Sequence, residues 1–287
     1  EHAGRELHQQ LAQRQGISLF CPARVKHIEQ QQQQVVLELD DQQCLSGSLL
    51  IGADGADSLV GQKIGSQQQH DFAKYALIAN VQADQDPAGR AFERFTEQGP
   101  LALLPMSEQR WSVVWSLEAE QAKRLQSADE QVFLSELQQA FGYRAGRFIA
   151  VGKRAAYPLV LRYYPRLFAH RMLLLGNAAH SLHPIAGQGF NLALRDVVAL
   201  VVHVIDAFEQ QQDIGSLATL QRFVDEQSKD QQLTTLFSHQ LIEWFGRQSL
   251  AVQAARSIGL LALDTVMPLK RRFVAQTAGL AGRQLIP

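Results

Sequence analysis

Apolar residues recur along the first part of the chain with two different spacings, one typical of a helix and one of strands. Leu7 and Leu11 lie four positions apart and predict an N-terminal helix over residues 4–15. Short apolar runs that predict strands follow at residues 17–20, 24–28, 35–39 and 49–51. The last run stops at Gly52, as is typical of a strand buried on both faces of an α/β sheet.

The pattern changes between about residue 74 and residue 162. Short apolar runs there predict a mixed or antiparallel sheet, and a helix is predicted at about 129–141. Trp111 and Trp115 would share one face of a strand, so we expect both in the core of this sheet rather than in a stacking platform. Because the first pattern returns afterwards, the middle segment is predicted to be an inserted domain.

The first pattern returns with a buried type of strand at residues 171–175, which ends in a small polar turn at 176–177. A glycine-flanked turn at 187–189 then opens an apolar helix that runs to about residue 208. The chain from about residue 215 onwards is helical in pattern. Strands that alternate with helices in this way predict an α/β fold.

The charge balance limits the kinds of partner that the protein attracts. The 287 residues carry 27 Lys and Arg against 28 Asp and Glu, a net charge of −1, so no overall field would gather nucleic acid. Cys21 and Cys44 are the only cysteines, which is typical of a reducing compartment. No run reaches the ~18 apolar residues of a membrane-spanning helix. The sequence therefore predicts a cytoplasmic protein.

The C-terminal segment departs from this charge balance. No acidic residue follows Asp264, and apolar residues at 260–267 are followed by four cations: Lys270, Arg271, Arg272 and Arg283. Two interpretations stay open. The segment is either an interfacial helix that contacts the inner membrane peripherally or a helix whose apolar residues pack on the main body.

Small polar residues directly follow both of the strands predicted to be buried. Asp54 and Gly55 follow the first, and Gly176 and Asn177 follow the second. In open α/β sheets, ligands bind at the edge that the carboxyl ends of the strands form. Taken singly, each motif is more often an ordinary turn in which Asp or Asn forms the turn or caps a helix, so both interpretations stay open.

A third motif, from Pro184 to Asn191, strengthens the ligand interpretation. Gly187 and Gly189 flank Gln188 and allow the backbone to approach a flat ligand closely. The N–H groups at the start of the following helix have no partner within the helix and stabilise negative charge. This arrangement suits the isoalloxazine ring of a flavin, whose reduced form carries negative charge on its pyrimidine side.

Together these motifs resemble those of the flavin-dependent aromatic hydroxylases. Residues 52–58 resemble the motif that this family places between flavin and pyridine nucleotide, and residues 176–196 resemble its second flavin motif. Within the family, the chain is most similar to the ubiquinone-biosynthesis hydroxylases, because residues 90–96 and 99–106 resemble their substrate-domain strands.

The resemblance implies an α/β fold with three parts. Residues 1–65 and 155–210 would belong to a Rossmann-like FAD-binding domain, residues 66–154 to an inserted mixed β-sheet substrate domain, and residues 211–287 to a C-terminal helical region. The implied function is an FAD-dependent monooxygenase that uses NAD(P)H and O₂ to hydroxylate a prenylated phenol in ubiquinone biosynthesis. Other proteins of that pathway are candidate partners.

The resemblance also carries over individual roles. The residues expected at the cofactor are Asp54, Gly55, Gly176, Asn177, Pro184, Gly187, Gln188, Gly189 and Asn191. Asn177 would contact the ribityl chain of FAD, and Pro184 would lie near the reacting face. Asp54 would support the cofactor and the approach of NAD(P)H. Arg94 and Pro100 are candidates for the substrate cavity, and no residue is assigned as the base that deprotonates the phenol.

Three features depart from the pattern of the family. Asn177 stands where the family usually has Asp, although an amide can still accept a hydrogen bond from a hydroxyl. Gly61 stands where an arginine is often found, which affects how the nucleotide binds. The first strand and its G-x-G-x-x-G fingerprint are absent, as if the chain began downstream of them, so the adenosine half of FAD has no predicted site here.

Other functions have less support in the sequence. His180 and His183 have a spacing found in metal sites, but no cysteine or carboxylate cluster accompanies them, and we expect no metal. Asp40 and Asp41 are more typical of a turn than of a catalytic pair. A flavin-linked reductase of similar architecture and a non-catalytic subunit of a biosynthetic assembly stay open as alternatives.

Overall fold

The computed structural model describes residues 2–181, 188–228 and 250–277, which form three β-sheets and the helices around them. The first elements are α1 (His2–Gln13), β1 (Val25–Gln30), β2 (Val35–Leu39), β3 (Cys44–Gly47), β4 (Leu50–Gly52) and α2 (Leu59–Ile64). The middle elements are β5 (Gln68–Ala83), β6 (Phe92–Phe95), β7 (Pro100–Pro105), β8 (Arg110–Glu118), α3 (Ala119–Ser127), α4 (Glu130–Phe141) and β9 (Phe148–Tyr163). The last elements are β10 (Phe168–Ala169), β11 (Met172–Leu174), a 3₁₀ turn (Gly176–Ala178), β12 (His180–Ser181), α5 (Gln188–Glu209), α6 (217–228), α7 (Leu250–Thr265) and α8 (Met267–Thr277).

The strands predicted near the N-terminus are confirmed in part. β1, β2 and β3 form an antiparallel sheet of their own. Residues 17–20 form no strand, so that prediction was wrong. Ile17 and Phe20 are exposed, which means that no sheet face buries them, and Pro22 lacks the N–H that a sheet ladder requires.

A small sheet in the order β10-β11-β4 forms the centre of the α/β part. β4 and β11 are parallel, with Gly52 beside Leu174 at their carboxyl ends. Met172 and Leu174 pack into one apolar cluster, whereas Leu173 and Leu175 pack into another. β11 is therefore buried on both faces, which confirms the interpretation of its continuous apolar run.

The middle of the chain forms a six-stranded sheet in the order β12-β9-β5-β8-β7-β6, in which paired neighbours run antiparallel. Helices α3 and α4 cover one face. Trp111 and Trp115 lie on that covered face, each 1% exposed, which confirms their predicted place in the sheet core. Helix α3 has no counterpart in the sequence prediction because Ala122 and Leu125 are its only buried residues, too few for a clear helical pattern.

The helical pattern predicted for the last part of the chain is confirmed where the structure describes it. Helix α5 buries Leu192, Asp196 and Leu200 on one side. Its other side carries exposed apolar residues, among them Phe190, Leu194, Val197, Val201, Ile205 and Phe208. None of the helices in the described ranges is long and apolar enough to cross a membrane.

Candidate functional site

The two predicted turn motifs lie side by side at one edge of the α/β part. β4 leads into Asp54 and Gly55, and β11 leads into the 3₁₀ turn Gly176–Ala178. Because β4 and β11 are parallel, both turns leave the same edge of the sheet. The Leu175 N–H donates to the Gly52 carbonyl at 2.9 Å and holds the two strand ends together. The structure thus brings together two motifs that are far apart in the sequence.

The carboxylate of Asp54 holds the loop before α2. Its Oδ1 accepts a hydrogen bond from Ser58 Oγ at 2.5 Å, and its Oδ2 accepts one from the Leu59 N–H at 2.8 Å. Ser58 caps α2 by accepting from the Gly61 N–H at 2.9 Å, a role that its position before the helix could have suggested. Asp54 therefore acts on this loop as a structural residue. Gly55, with a φ of 85° and no atom within 4 Å of a Cβ built on it, has open space beside it.

Asn177 is exposed at the same edge of the sheet. The preceding Gly176 has a φ of 59°, a left-handed conformation that favours glycine. A Cβ built on Gly176 would lie 3.6 Å from the Cβ of Ala193, so the second turn of α5 lies against this motif. No group in the described parts of the chain bonds to the Asn177 amide, which leaves its oxygen and nitrogen available to a ligand that carries hydroxyls.

The start of α5 supplies the described part of the third motif. The helix begins at Gln188, and Gly189 and Asn191 lie in its first turn. Pro184 and Gly187 lie outside the described residues. Since the first N–H groups of a helix have no partner within it, this end of α5 offers hydrogen-bond donors and a positive partial charge.

Tyr164 connects the first two motifs, and the sequence prediction missed it. It is 4% exposed, its N–H donates to the Ala179 carbonyl at 3.2 Å, and its ring lies where a Cβ on Gly61 would be. The ring therefore occupies space that an arginine at position 61 would need. Burial raises the pKa of the Tyr164 hydroxyl, and the nearby carboxylates of Asp54 and Asp57 raise it further, so the hydroxyl stays neutral at neutral pH. An aromatic residue just after a strand is too common to have predicted this role.

His180 and Asp196 form a buried pair between β12 and α5. Their side chains are 13% and 1% exposed, and His180 Nε2 lies 3.8 Å from Asp196 Oδ2. That distance is too long for a hydrogen bond. Burial therefore determines the protonation of the imidazole and lowers the pKa of His180 to about 4. At neutral pH the imidazole is therefore neutral.

Arg94 and Pro100 are not brought together by the structure. Nη1 of Arg94 donates to the Phe141 carbonyl at the end of α4, which places Arg94 on the face of the large sheet that the helices cover. A cavity of about 440 Å³ borders Arg94 on that side. Pro100 precedes Leu101, which packs in the covered core, so the alternation of side chains along β7 places Pro100 on the opposite face. Their roles at the substrate stay predictions, and the two side chains lie on opposite faces of the sheet.

Comparison with known protein families shows which kind of domain the chain contains. The model of the FAD-binding domain family matches residues 5–222, a span that includes both turn motifs and the whole of α5. The chain belongs to the FAD-binding domain family. Membership in this family confirms the resemblance carried by the motifs and gives FAD as the cofactor to test against the geometry.

Several relatives of this FAD-binding chain are named for steps in ubiquinone biosynthesis. Ubiquinone hydroxylase UbiL of Rhodospirillum rubrum is 32% identical over 263 residues, which covers 91% of this chain and 61% of that protein. The 3-demethoxyubiquinol 3-hydroxylase of Escherichia coli is 29% identical over 245 residues, which covers 85% of this chain and 62% of that protein. The chain therefore spans less than two thirds of the length of these relatives.

Solved structures of flavin enzymes share the fold. The p-nitrophenol 4-monooxygenase PnpA of Pseudomonas putida superimposes with a TM-score of 0.78 at 18% identity and covers 99% of this chain and 73% of PnpA. PqsL of Pseudomonas aeruginosa, described as a probable FAD-dependent monooxygenase, gives a TM-score of 0.71 at 21% identity and covers 84% of this chain and 69% of PqsL. These likenesses confirm the predicted α/β fold class.

The described residues fit the flavin half of FAD. Asn177 presents an amide that no described group occupies, Gly55 is bordered by open space, and the start of α5 offers N–H groups that have no partner within the helix. Hydroxyl-bearing and negatively charged parts of a flat ligand require this set of donors and acceptors. The edge is therefore a suitable site for the ribityl chain and the pyrimidine side of the ring.

Proposed function

We propose that the protein is an FAD-dependent monooxygenase that hydroxylates a prenylated phenol in ubiquinone biosynthesis, with NAD(P)H and O₂ as co-substrates. The observation that carries the proposal is the meeting of both turn motifs with the first turns of α5 at one edge of the parallel sheet. The names of the relatives support the substrate class. The resemblance of residues 90–96 and 99–106 to 2-octaprenyl-6-methoxyphenol hydroxylase supports a ring of that type.

The chain's part in the reaction is to hold and orient the cofactor. FAD, when bound, supplies the oxidation and reduction chemistry and the activation of O₂. The Asn177 amide would bond to ribityl hydroxyls, and the N–H groups at the start of α5 would stabilise negative charge on the pyrimidine side. Asp54 would act indirectly, because it fixes the loop that carries Gly55.

The face of the six-stranded sheet opposite α3 and α4 suits a prenylated ring. Strand alternation places uncharged residues at the centre of this face: Ala76, Ile78, Ala102, Val114, Ala155 and Tyr157. An apolar wall favours binding of a prenyl chain and excludes water from the reacting centre. Water at that centre would favour release of peroxide instead of product. The proposal therefore assigns this face to the substrate.

Replacing Asn177 with leucine tests the flavin site. We expect the Kd for FAD, measured by quenching of flavin fluorescence, to rise about two- to twelvefold, because one hydrogen bond with a net value of about 0.5–1.5 kcal/mol is lost. Gln126→Leu is the matched control, since Gln126 is an exposed amide on α3, and its Kd should equal that of the wild type. Equal Kd values for all three proteins would remove Asn177 from the site.

Oxygen uptake distinguishes the proposed function from its alternatives. With a prenylated phenol present, we expect NAD(P)H oxidation to be coupled to O₂ consumption and to formation of one hydroxylated product per O₂, since one oxygen atom enters the ring and the other leaves as water. NAD(P)H oxidation without O₂ uptake would support a flavin-linked reductase instead. A protein that retains no flavin would support a non-catalytic subunit.

A further inference from the structure

We propose that α7 and α8 together form a docking surface for an anionic lipid membrane. Six apolar side chains that are 41–67% exposed contribute to this membrane-docking surface: Ile258, Leu260, Leu261, Met267, Phe273 and Val274. Contiguous exposed apolar residues of this size mark interaction surfaces in folded proteins. The proposal extends the proposed function, because it says how a substrate dissolved in a membrane would reach the site.

Residues 257–274 of α7 and α8 are mostly exposed to solvent. Within residues 257–274, Ala262 and Leu263 are half-buried and every other residue is exposed. The two helices are joined to each other, because the Val266 N–H donates to the Ala262 carbonyl at 2.8 Å and the Lys270 N–H donates to the Val266 carbonyl at 3.0 Å. Of the two interpretations that the sequence left open, exposure supports the interfacial one.

The charges beside these apolar residues select an anionic partner. Lys270, Arg271 and Arg272 are exposed in the first two turns of α8. Asp264 is the only acid within residues 257–274, and its Oδ1 lies 2.8 Å from Lys270 Nζ, so the segment keeps a net charge of +2. Basic residues next to exposed apolar ones are typical of helices that lie in the headgroup region of anionic bilayers.

Exposed apolar surface alone does not indicate a membrane-docking surface, because the exposed side of α5 also carries acidic residues. Phe208 and Ile205 are 75% and 50% exposed, but Asp206 and Glu209 are exposed beside them. An anionic bilayer would repel these carboxylates. The combination of apolar and basic residues therefore separates α7 and α8 from the exposed apolar side of α5.

Vesicle flotation of the 287-residue chain tests the proposal. The probes are vesicles of phosphatidylglycerol with phosphatidylcholine and vesicles of phosphatidylcholine alone. We expect binding to the anionic vesicles only, and we expect the triple variant Lys270/Arg271/Arg272→Gln to bind roughly 25-fold more weakly, at about fivefold for each of the two basic residues that Asp264 does not neutralise. High salt should weaken wild-type binding in the same direction.

Two controls make the test specific. Arg90/Arg144/Lys153→Gln removes three exposed cations elsewhere and should bind like the wild type. Leu261→Ser should weaken binding, whereas Phe208→Ser should not. The proposal is overturned if the wild type does not float with anionic vesicles or if both triple variants bind equally. Because the experiment contains neither flavin nor substrate, its failure leaves the proposed hydroxylase standing, and loss of flavin binding leaves the membrane surface standing.

Discussion

Replacing Arg171 with methionine is expected to lower the free energy of unfolding by about 1.5–3 kcal/mol, because the hydrogen bonds of a buried charged group are lost, although its partner Asp213 is 44% exposed. The Arg171 side chain is 6% exposed, and its guanidinium donates to the Gln32 carbonyl at 2.9 Å and to the Ser48 carbonyl at 2.8 Å. It also pairs with both oxygens of Asp213 at 2.5 and 2.9 Å. One side chain thus ties the N-terminal sheet and the loop after α5 to the start of β11. The change is measured as the first unfolding transition in urea at neutral pH.

A surface ion pair provides the matched control for Arg171. Arg162 Nη1 lies 2.9 Å from Asp57 Oδ1, but the two side chains are 34% and 87% exposed. Arg162→Met is therefore expected to cost less than about 1 kcal/mol. The Arg171 hydrogen bonds lower the pKa of Asp213, so their stabilisation is present above the ordinary value of 3.8 and is lost as the pH falls below it. Equal effects of the two substitutions at neutral pH would contradict the role given to Arg171.

Acidification is expected to destabilise the protein by about 3 kcal/mol between pH 6.5 and 4, because His180 must stay neutral while it is buried. Its pKa is lowered from 6.5 to about 4, so the unfolded chain binds a proton in this pH window and the folded chain does not. The stabilisation is complete above pH 6.5 and falls as the pH approaches 4. Urea unfolding at a series of pH values measures this slope.

The His180→Gln variant should lack most of this pH dependence, whatever its stability at neutral pH. His27→Gln removes an exposed histidine and should keep the slope of the wild type. A direct check is the midpoint of the His180 ring-proton titration by NMR, which should lie near pH 4. A midpoint near 6.5 would show that the ring is solvated rather than buried beside Asp196.

The sequence predicted those parts of the fold in which local pattern and burial agree. The continuous apolar run of β11 and the shared face of Trp111 and Trp115 both have the predicted burial. Residues 17–20 have a strand-like composition but no partner strand, and pairing depends on distant parts of the chain. Local propensity therefore predicts an element only where tertiary packing supplies its neighbours.

In the candidate site too, the sequence predicts positions but not the contacts that depend on packing. Asp54 and Asn177 could be predicted at one edge because the ends of parallel strands meet there. The bonds of Ser58 and Leu59 to the Asp54 carboxylate depend on the conformation of the loop before α2, which the motif alone does not specify. That Tyr164 bridges the two motifs could not be predicted, because it depends on packing between the end of β9, α2 and the 3₁₀ turn. The motif thus predicts where a residue lies better than it predicts what the residue contacts.

The long stretch of chain between the paired strands β4 and β11 indicates the order in which the two sheets fold. Leu50 pairs with Met172, 122 positions further along the chain, and closing so long a loop is entropically unfavourable. In the six-stranded sheet, Gln68 pairs with Tyr163. Once those strands have paired, only the 15 residues from 53 to 67 and the 8 residues from 164 to 171 separate β4 and β11 from that pairing. We therefore expect the six-stranded sheet to form first and to shorten the search by which β4 and β11 find each other.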